Sequence, residues 1–237
     1  MAKIQVGDME IEVVLKAIRH VHLTVHPPHG RVRVSAPDHM ALDTVRVFVV
    51  SRLSWIRQQQ RKFLAQERET PREFLPKESH YVWGRRHLLE IIERDAAPSV
   101  DLTPGKVRLY VRPGASTETR KEVMAQWHRD QVREAATALI ARWEPLLGVQ
   151  AGKLFVQHMR TRWGSCNPAK GSIRLNTDLA RKPRECLEYI VVHELMHLLE
   201  PTHNDRFQAL MDHHLPQWRE LRDRLNRLPV RHEEWGY

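Results

Sequence analysis

Cysteine is scarce in this 237-residue chain: only Cys166 and Cys186 occur. Two thiols cannot build a disulfide framework, and they match no zinc-knuckle or CxxC spacing, so both read as reduced side chains. Long hydrophobic runs are missing too. None approaches the ~20 residues a bilayer-spanning helix needs, which argues against a membrane partner. The opening MAKIQVGDMEIEVV carries acids where a signal peptide has its apolar core, so the expected compartment is the cytoplasm. There is no P-loop, no visible internal repeat and no low-complexity segment.

What is present is ordinary for a folded soluble protein: 41% hydrophobic residues and 28% charged ones, enough to exclude disorder as the main state. The net charge of +9 is compatible with a polyanionic partner, a nucleic acid or nucleotide held by basic surface. The basic residues are spread over the whole chain, which favours the simpler reading of a solvated basic surface.

The hydrophobic pattern predicts an α+β fold. MEIEVVLK, HVHLTVH and RVRVSAP alternate and read as a small antiparallel sheet turned at PPHG. Asp38 is placed to cap a long helix carrying Ala41, Val45, Phe48, Val49, Leu53 and Ile56 at helical spacing, interrupted around Pro71 and Pro76. HYVWGRRHLLEIIERD and KVRLYVRP then continue the sheet. A second long helix runs from Ser116, its N-cap, to about Leu147. These elements divide the chain near Pro113 into a β-rich domain, 1–113, and a second α+β domain, 114–237. In the latter, KLFVQHMR and SIRLNTDL read as strands flanking the loop TRWGSCNPAKG. Pro183 opens the helix containing VVHELMHLL, and two shorter helices follow, Asn204 to His213 and Pro216 to about Arg227.

Three ionisable groups sit inside that apolar helix, where each is costly unless something pairs with it. His193 and His197 are four residues apart, on one side of the helix a turn apart, and can reach a single cation. Glu194 lies beside them. This is the HExxH arrangement, in which two imidazoles bind zinc and the carboxylate is the general base. A catalytic zinc needs a third protein ligand. Pro201 ends the helix at Glu200 and turns the chain, so His203 is the expected third ligand, with Glu200 as its rival. His213 and His214 read as surface or supporting groups. Asn204 or Asp205 is placed to cap the next helix, and Asp205 can also orient an imidazole.

HELMH with a histidine six residues on, the following NDRF, the preceding RTRWGSC and SIRLNTDL, and the more distant VRVSAP, FVVSRLSWI and VWGRRHLLEI together resemble the YgjP-like metal-dependent hydrolases, relatives of SprT-like zinc metallopeptidases. The resemblance covers almost the whole chain. It implies a zincin-like domain over 114–237, a Zn2+ site of His193, His197 and His203, Glu194 as acid/base catalyst, and a peptide or protein substrate. A nucleotide pyrophosphatase is the alternative it leaves open, and a binding module with a structural zinc is a third. The downstream glutamate ligand of gluzincins and the extended metzincin motif have no counterpart here.

Further residues carry two readings each. Arg162 can hold an anionic group or substrate carbonyl, or pair with an acid; Trp163 can line the cleft, or simply pack above a tight turn at Gly164. Likeness to zincins implies that SIRLNTDL is the edge receiving an extended peptide, with Asn176 among the substrate contacts; an interior strand is the alternative. Cys166 reads as a packed thiol rather than a nucleophile. His20, His22 and His26 lie on one face of a strand, read as a polar sheet face rather than a metal site. The tail RHEEWGY, with Trp235 and Tyr237, reads as a packed terminus rather than a plug.

Overall fold

Alternating apolar residues open the chain, and their period of two yields a sheet with one buried face. In the computed structural model, described over residues 2–26, 30–65 and 72–229, β1 (Ala2–Val6), β2 (Met9–Lys16), β3 (His22–His26) and β4 (Arg31–Pro37) pair in the order β1-β2-β4-β3. Ile4, Val6, Ile11, Val13, Val25, Val32 and Val34 form the buried face. The sheet is mixed rather than antiparallel throughout. β2 runs parallel to β4, because β3 pairs along the far side of β4. The single long helix expected next is two, α1 (Leu42–Ser51) and α2 (Leu53–Ala65), parted at Arg52. Ala41 stands at the N-cap instead of Asp38, which lies in the turn leaving β4. Val45, Val49 and Ile56, spaced by four and seven, turn into the sheet core. His20 lies outside β3, so the three histidines do not share one strand face. Pro71 and the tail 230–237 lie outside the described residues.

A second sheet follows, formed by β5 (Ser79–Val82), β6 (Arg85–Glu93), β7 (Ser99–Thr103) and β8 (Lys106–Val111) in the order β5-β6-β8-β7. It is a separate sheet, where the sequence pattern predicted a continuation of the first. It repeats the topology of the first: antiparallel hairpin, parallel central pair, antiparallel hairpin. The registers correspond as well, with Glu12 facing Arg33 in one sheet and Glu90 facing Arg108 in the other. Those pairs close at 3.5 Å and 3.0 Å. Each glutamate also meets the basic residue two places earlier, Arg31 or Lys106. The repeat escapes sequence inspection because the copies share a burial pattern and a charge pair, with few identical residues between them.

The chain divides into two compact units, Met1–Arg68 and Glu69–Tyr237. Pro113, the boundary read from the element pattern, lies inside the second unit. The reason is packing: Met124, on the helix after Pro113, is buried in one core with Val107, Leu109 and Val111 of β8.

That helix, α3 (Thr117–Leu147), is the spine of the second unit. Ser116 Oγ caps it by accepting the Thr119 amide at 3.1 Å. Gly148 ends it at a φ of 64°, the left-handed conformation that glycine adopts without strain. Its buried stripe, Met124, His128, Val132, Ala136, Trp143 and Leu147, follows the helical period. A three-stranded sheet lies beyond it: β9 (Leu154–Gln157), β10 (Gly164–Asn167) and β11 (Ser172–Asn176), in the order β10-β11-β9. The helices α4 (Arg184–Met196), α5 (Asp205–His214) and α6 (Trp218–Arg227) complete the fold. Nine of the thirteen residues of α4 are buried, so this helix runs through the middle of the core. Among the described residues no helix is long and apolar enough to cross a membrane.

Candidate metal centre

α4 delivers His193 and His197 from its last turn, and the chain reverses immediately after. The amides of Leu199 and Glu200 both bond to the Met196 carbonyl, tightening the helix end before Pro201. The reversal brings His203 back. His203 Nε2 lies 3.0 Å from His193 Nε2, and one donor atom from each of His193, His197 and His203 falls within 4.8 Å of the others. Among the described residues no other histidine, cysteine or acid group gathers in this way.

The rivals are occupied elsewhere. Glu200 Oε1 accepts from the Thr202 amide at 3.3 Å and its hydroxyl at 3.0 Å. His213 and His214 pack edge to face on each other, with ring centres 4.7 Å apart. Asn204 is the cap of α5, accepting the Phe207 amide at 3.0 Å.

The donor set fits a divalent metal. His197 Nδ1 donates to the Glu200 carbonyl at 3.1 Å, which fixes the tautomer and leaves the Nε2 lone pair free. Burial depresses the pKa of His197, and pushes that of His193 down to about 3, so both rings are neutral at pH 7. Nδ1 of His193 is buried with no protein partner. Imidazoles crowded at this spacing, with no acid paired to them among the described residues, are what a cation compensates. Bonds of about 2.0–2.1 Å in a tetrahedral site imply donor separations of roughly 3.3 Å, close to the observed contact of His193 with His203.

Glu194 stands beside the cluster and is only 5% exposed. Burial raises its carboxyl to about 8, opposed by the nearby charge of Arg162. It does not belong to the three-donor group.

Two residues shape this arrangement: Phe207, which the sequence reading passed over, and Gly164, which it read as a tight turn and which instead begins β10. Phe207, fully buried, packs against all three imidazoles with ring centres 4.8 to 5.1 Å away. Its place in NDRF, three residues after the Asn204 cap, was the available signal. Gly164 lies against Glu194: a Cβ there would come within 2.6 Å of Oε1 and 2.9 Å of Cγ. Gly164→Ala is therefore expected to displace the Glu194 side chain. Hydrolytic turnover should fall at least tenfold while metal content stays at the wild-type level; normal turnover by this variant would show that the carboxylate's position is unimportant.

The other candidates fall out differently. Asn176 is buried, and its amide nitrogen donates to the carbonyls of Met159 at 2.7 Å and Arg162 at 2.9 Å. Its oxygen accepts the Asp178 amide at 3.1 Å. The side chain is thus committed to holding the 159–162 loop, a correction to its reading as a substrate contact. β11, which contains Asn176, is the central strand, and the edge beside Glu194 is β10. The edge reading for SIRLNTDL is corrected accordingly. Trp163 is partly buried and packs on the main core, while Arg162 is exposed. Both cysteines are free thiols, and burial raises Cys166 to about 11, so it carries almost no thiolate at neutral pH.

A mixed α+β unit with a histidine cluster at the end of a buried helix is a candidate metal-binding domain. The profile of the YgjP-like family, metallopeptidase domain, matches residues 19–228, and the chain belongs to that family. Membership implies a divalent metal. No curated protein matches the chain. Among solved structures, the metallopeptidase zymogen abylysin of Pyrococcus abyssi is 24% identical, aligned over 38% of this chain and 90% of its own, with a TM-score of 0.36. The zymogen jannalysin of Methanocaldococcus jannaschii is 17% identical over 40% and 86%, with a TM-score of 0.33.

Proposed function

We propose that the chain is a zinc peptidase in which His193, His197 and His203 hold the metal and Glu194 is the general base. The observation that carries this reading is the convergence of three imidazole donors beside a buried carboxylate. Three protein donors with a position left over is the pattern of catalytic zinc sites, whereas structural sites use four. Zinc held there supplies Lewis acidity, acidifying water and polarising a carbonyl.

The chain's own residues do the rest. Glu194 takes a proton from the attacking water and returns it to the amine nitrogen of the departing peptide. Burial lifts this carboxyl to about 8 even beside Arg162; a divalent cation held by the three histidines would draw it back down, toward the working pH that proton transfer favours. Gly164 lets β10 approach this carboxylate closely, and the outer edge of β10 has no strand partner among the described residues. An extended peptide adding to that edge would lie along the histidine cluster, with register set by main-chain pairing. Arg162, whose charge reaches Glu194, is the group we assign to a substrate carbonyl.

The test pairs metal analysis with parallel substrates. About one zinc per chain, with cleavage of a peptide library that chelation abolishes and zinc restores, is the expected result. Hydrolysis of nucleoside triphosphates without any peptide cleavage would replace the peptidase reading with the pyrophosphatase one.

A further inference from the structure

At the other end of α4 lies a cleft of about 660 Å³ that the histidine chemistry does not use. The tight turn between β5 and β6 forms one wall. Trp83 sits there at a φ of 50°, followed by Gly84 at 76°. The turn is locked: the Trp83 amide bonds to the Ala180 carbonyl at 2.7 Å, the Gly84 amide to the Arg181 carbonyl at 3.1 Å. A Cβ on Gly84 would lie 2.8 Å from Pro183. A bulky aromatic residue persists at positive φ only where its surroundings over-determine it, and such residues gather at ligand sites.

Three guanidinium groups line this cleft, Arg85, Arg184 and Arg224, against one carboxylate, Glu185. Arg224 already binds Glu185 at 2.6 Å. Arg184 stacks 4.4 Å over the Trp83 ring, an arrangement that occupies its face and leaves its N–H edge for oxygen ligands. Arg85 has no acidic partner among the described residues. Two positive charges are therefore uncompensated among the described residues, set among the hydrocarbon of Val82, Leu102, Pro104 and Pro183. A phosphate cradle is made of glycine-rich backbone amides at a helix start; here the segment entering α4, residues 177–183, contains no glycine. Guanidinium forks interleaved with apolar surface instead suit carboxylate side chains on a peptide.

We propose that this cleft binds an acidic segment of the polypeptide substrate and recruits it to the histidine cluster. The proposal rests on the peptidase reading above. His193 lies nine positions after Arg184 on α4, a rise of about 14 Å, which an extended peptide covers in roughly four residues. The acidic residues then lie at least about four positions from the scissile bond.

Binding is measured first, without turnover, using labelled octaglutamate and octaglutamine on the Glu194→Gln chain. Octaglutamate is expected to bind in a salt-sensitive manner, and about tenfold or more weakly after Arg85→Glu or Arg184→Glu. The lysine substitutions at the same positions should keep most of the affinity, and unchanged melting temperatures would show that the folds are intact. Equal binding of octaglutamine, or indifference to both charge reversals, overturns the proposal. So does single-stranded DNA that binds more tightly than octaglutamate and is released by the same substitutions. In the second arm, peptides carrying three glutamates at increasing distance from the cleavage point should show KM falling once the spacing reaches about four; no dependence on spacing refutes recruitment. A chain that binds octaglutamate yet cleaves no peptide refutes the peptidase reading while leaving the ligand class of the cleft standing.

Discussion

Glu194→Gln is expected to lose between about a hundredfold and ten-thousandfold of kcat while retaining its metal, because positioned proton transfer contributes that much and the amide cannot accept a proton. The same substitution should stabilise the metal-free protein at alkaline pH. Burial lifts this carboxyl from its ordinary 4.5 to about 8. Between those values the folded chain keeps a proton that the unfolded chain has released, so stability declines as pH rises through that window and levels off above it. Glutamine has no such dependence. Thermal melts of chelated protein should therefore place the variant several degrees above wild type at pH 8.5, with the gap closing near pH 5. His193 works in the opposite direction: its ring titrates near 3 when folded instead of 6.5, so both proteins lose stability as pH falls from 6.5 toward 3. Coincident wild-type and variant melts across the whole range would show that Glu194 is solvated and its environment misassigned.

Replacing His193, His197 or His203 singly by alanine is expected to reduce metal content from about one per chain to near zero in dialysed protein. A site with two remaining imidazoles lacks the three-donor set of a catalytic metal centre. The loss should also remove the metal's contribution to stability: wild type gains in melting temperature when zinc is added, because a ligand that binds only the folded state stabilises it, and the variants should not. His213→Ala and Glu200→Ala serve as comparisons, since neither side chain joins the cluster. Zinc retention by His203→Ala with loss in Glu200→Ala would move the third ligand to Glu200.

Phe207 connects these expectations to the fold. Its ring touches all three imidazoles, and its position depends on α5 starting at the Asn204 cap. The cap and the ligand turn are consecutive in sequence, so the histidine that must return to the cluster and the residue that supports it are set by one short segment.

Several features were legible in the residues themselves. Two histidines four apart on an apolar helix face the same side, so His193 and His197, with Glu194 beside them, could be grouped by local geometry; Pro201 signalled a chain reversal that favoured His203 over Glu200, although α4 already ends at Met196. Strand alternation, the Ser116 cap and the extent of α3 were equally local. Long-range pairing was beyond that reasoning. Whether β2 meets β3 or β4, whether the second sheet continues the first or repeats it, and where one core ends depend on contacts between distant segments, which periodicity does not encode. The same holds for Asn176, whose amide is used by carbonyls fourteen and seventeen residues earlier, and for Gly164, whose missing side chain matters only because Glu194 lies against it. Spacing along the helix determined which groups can hold a metal; packing across the core decided what surrounds them, because burial and register arise only when remote parts of the chain come together.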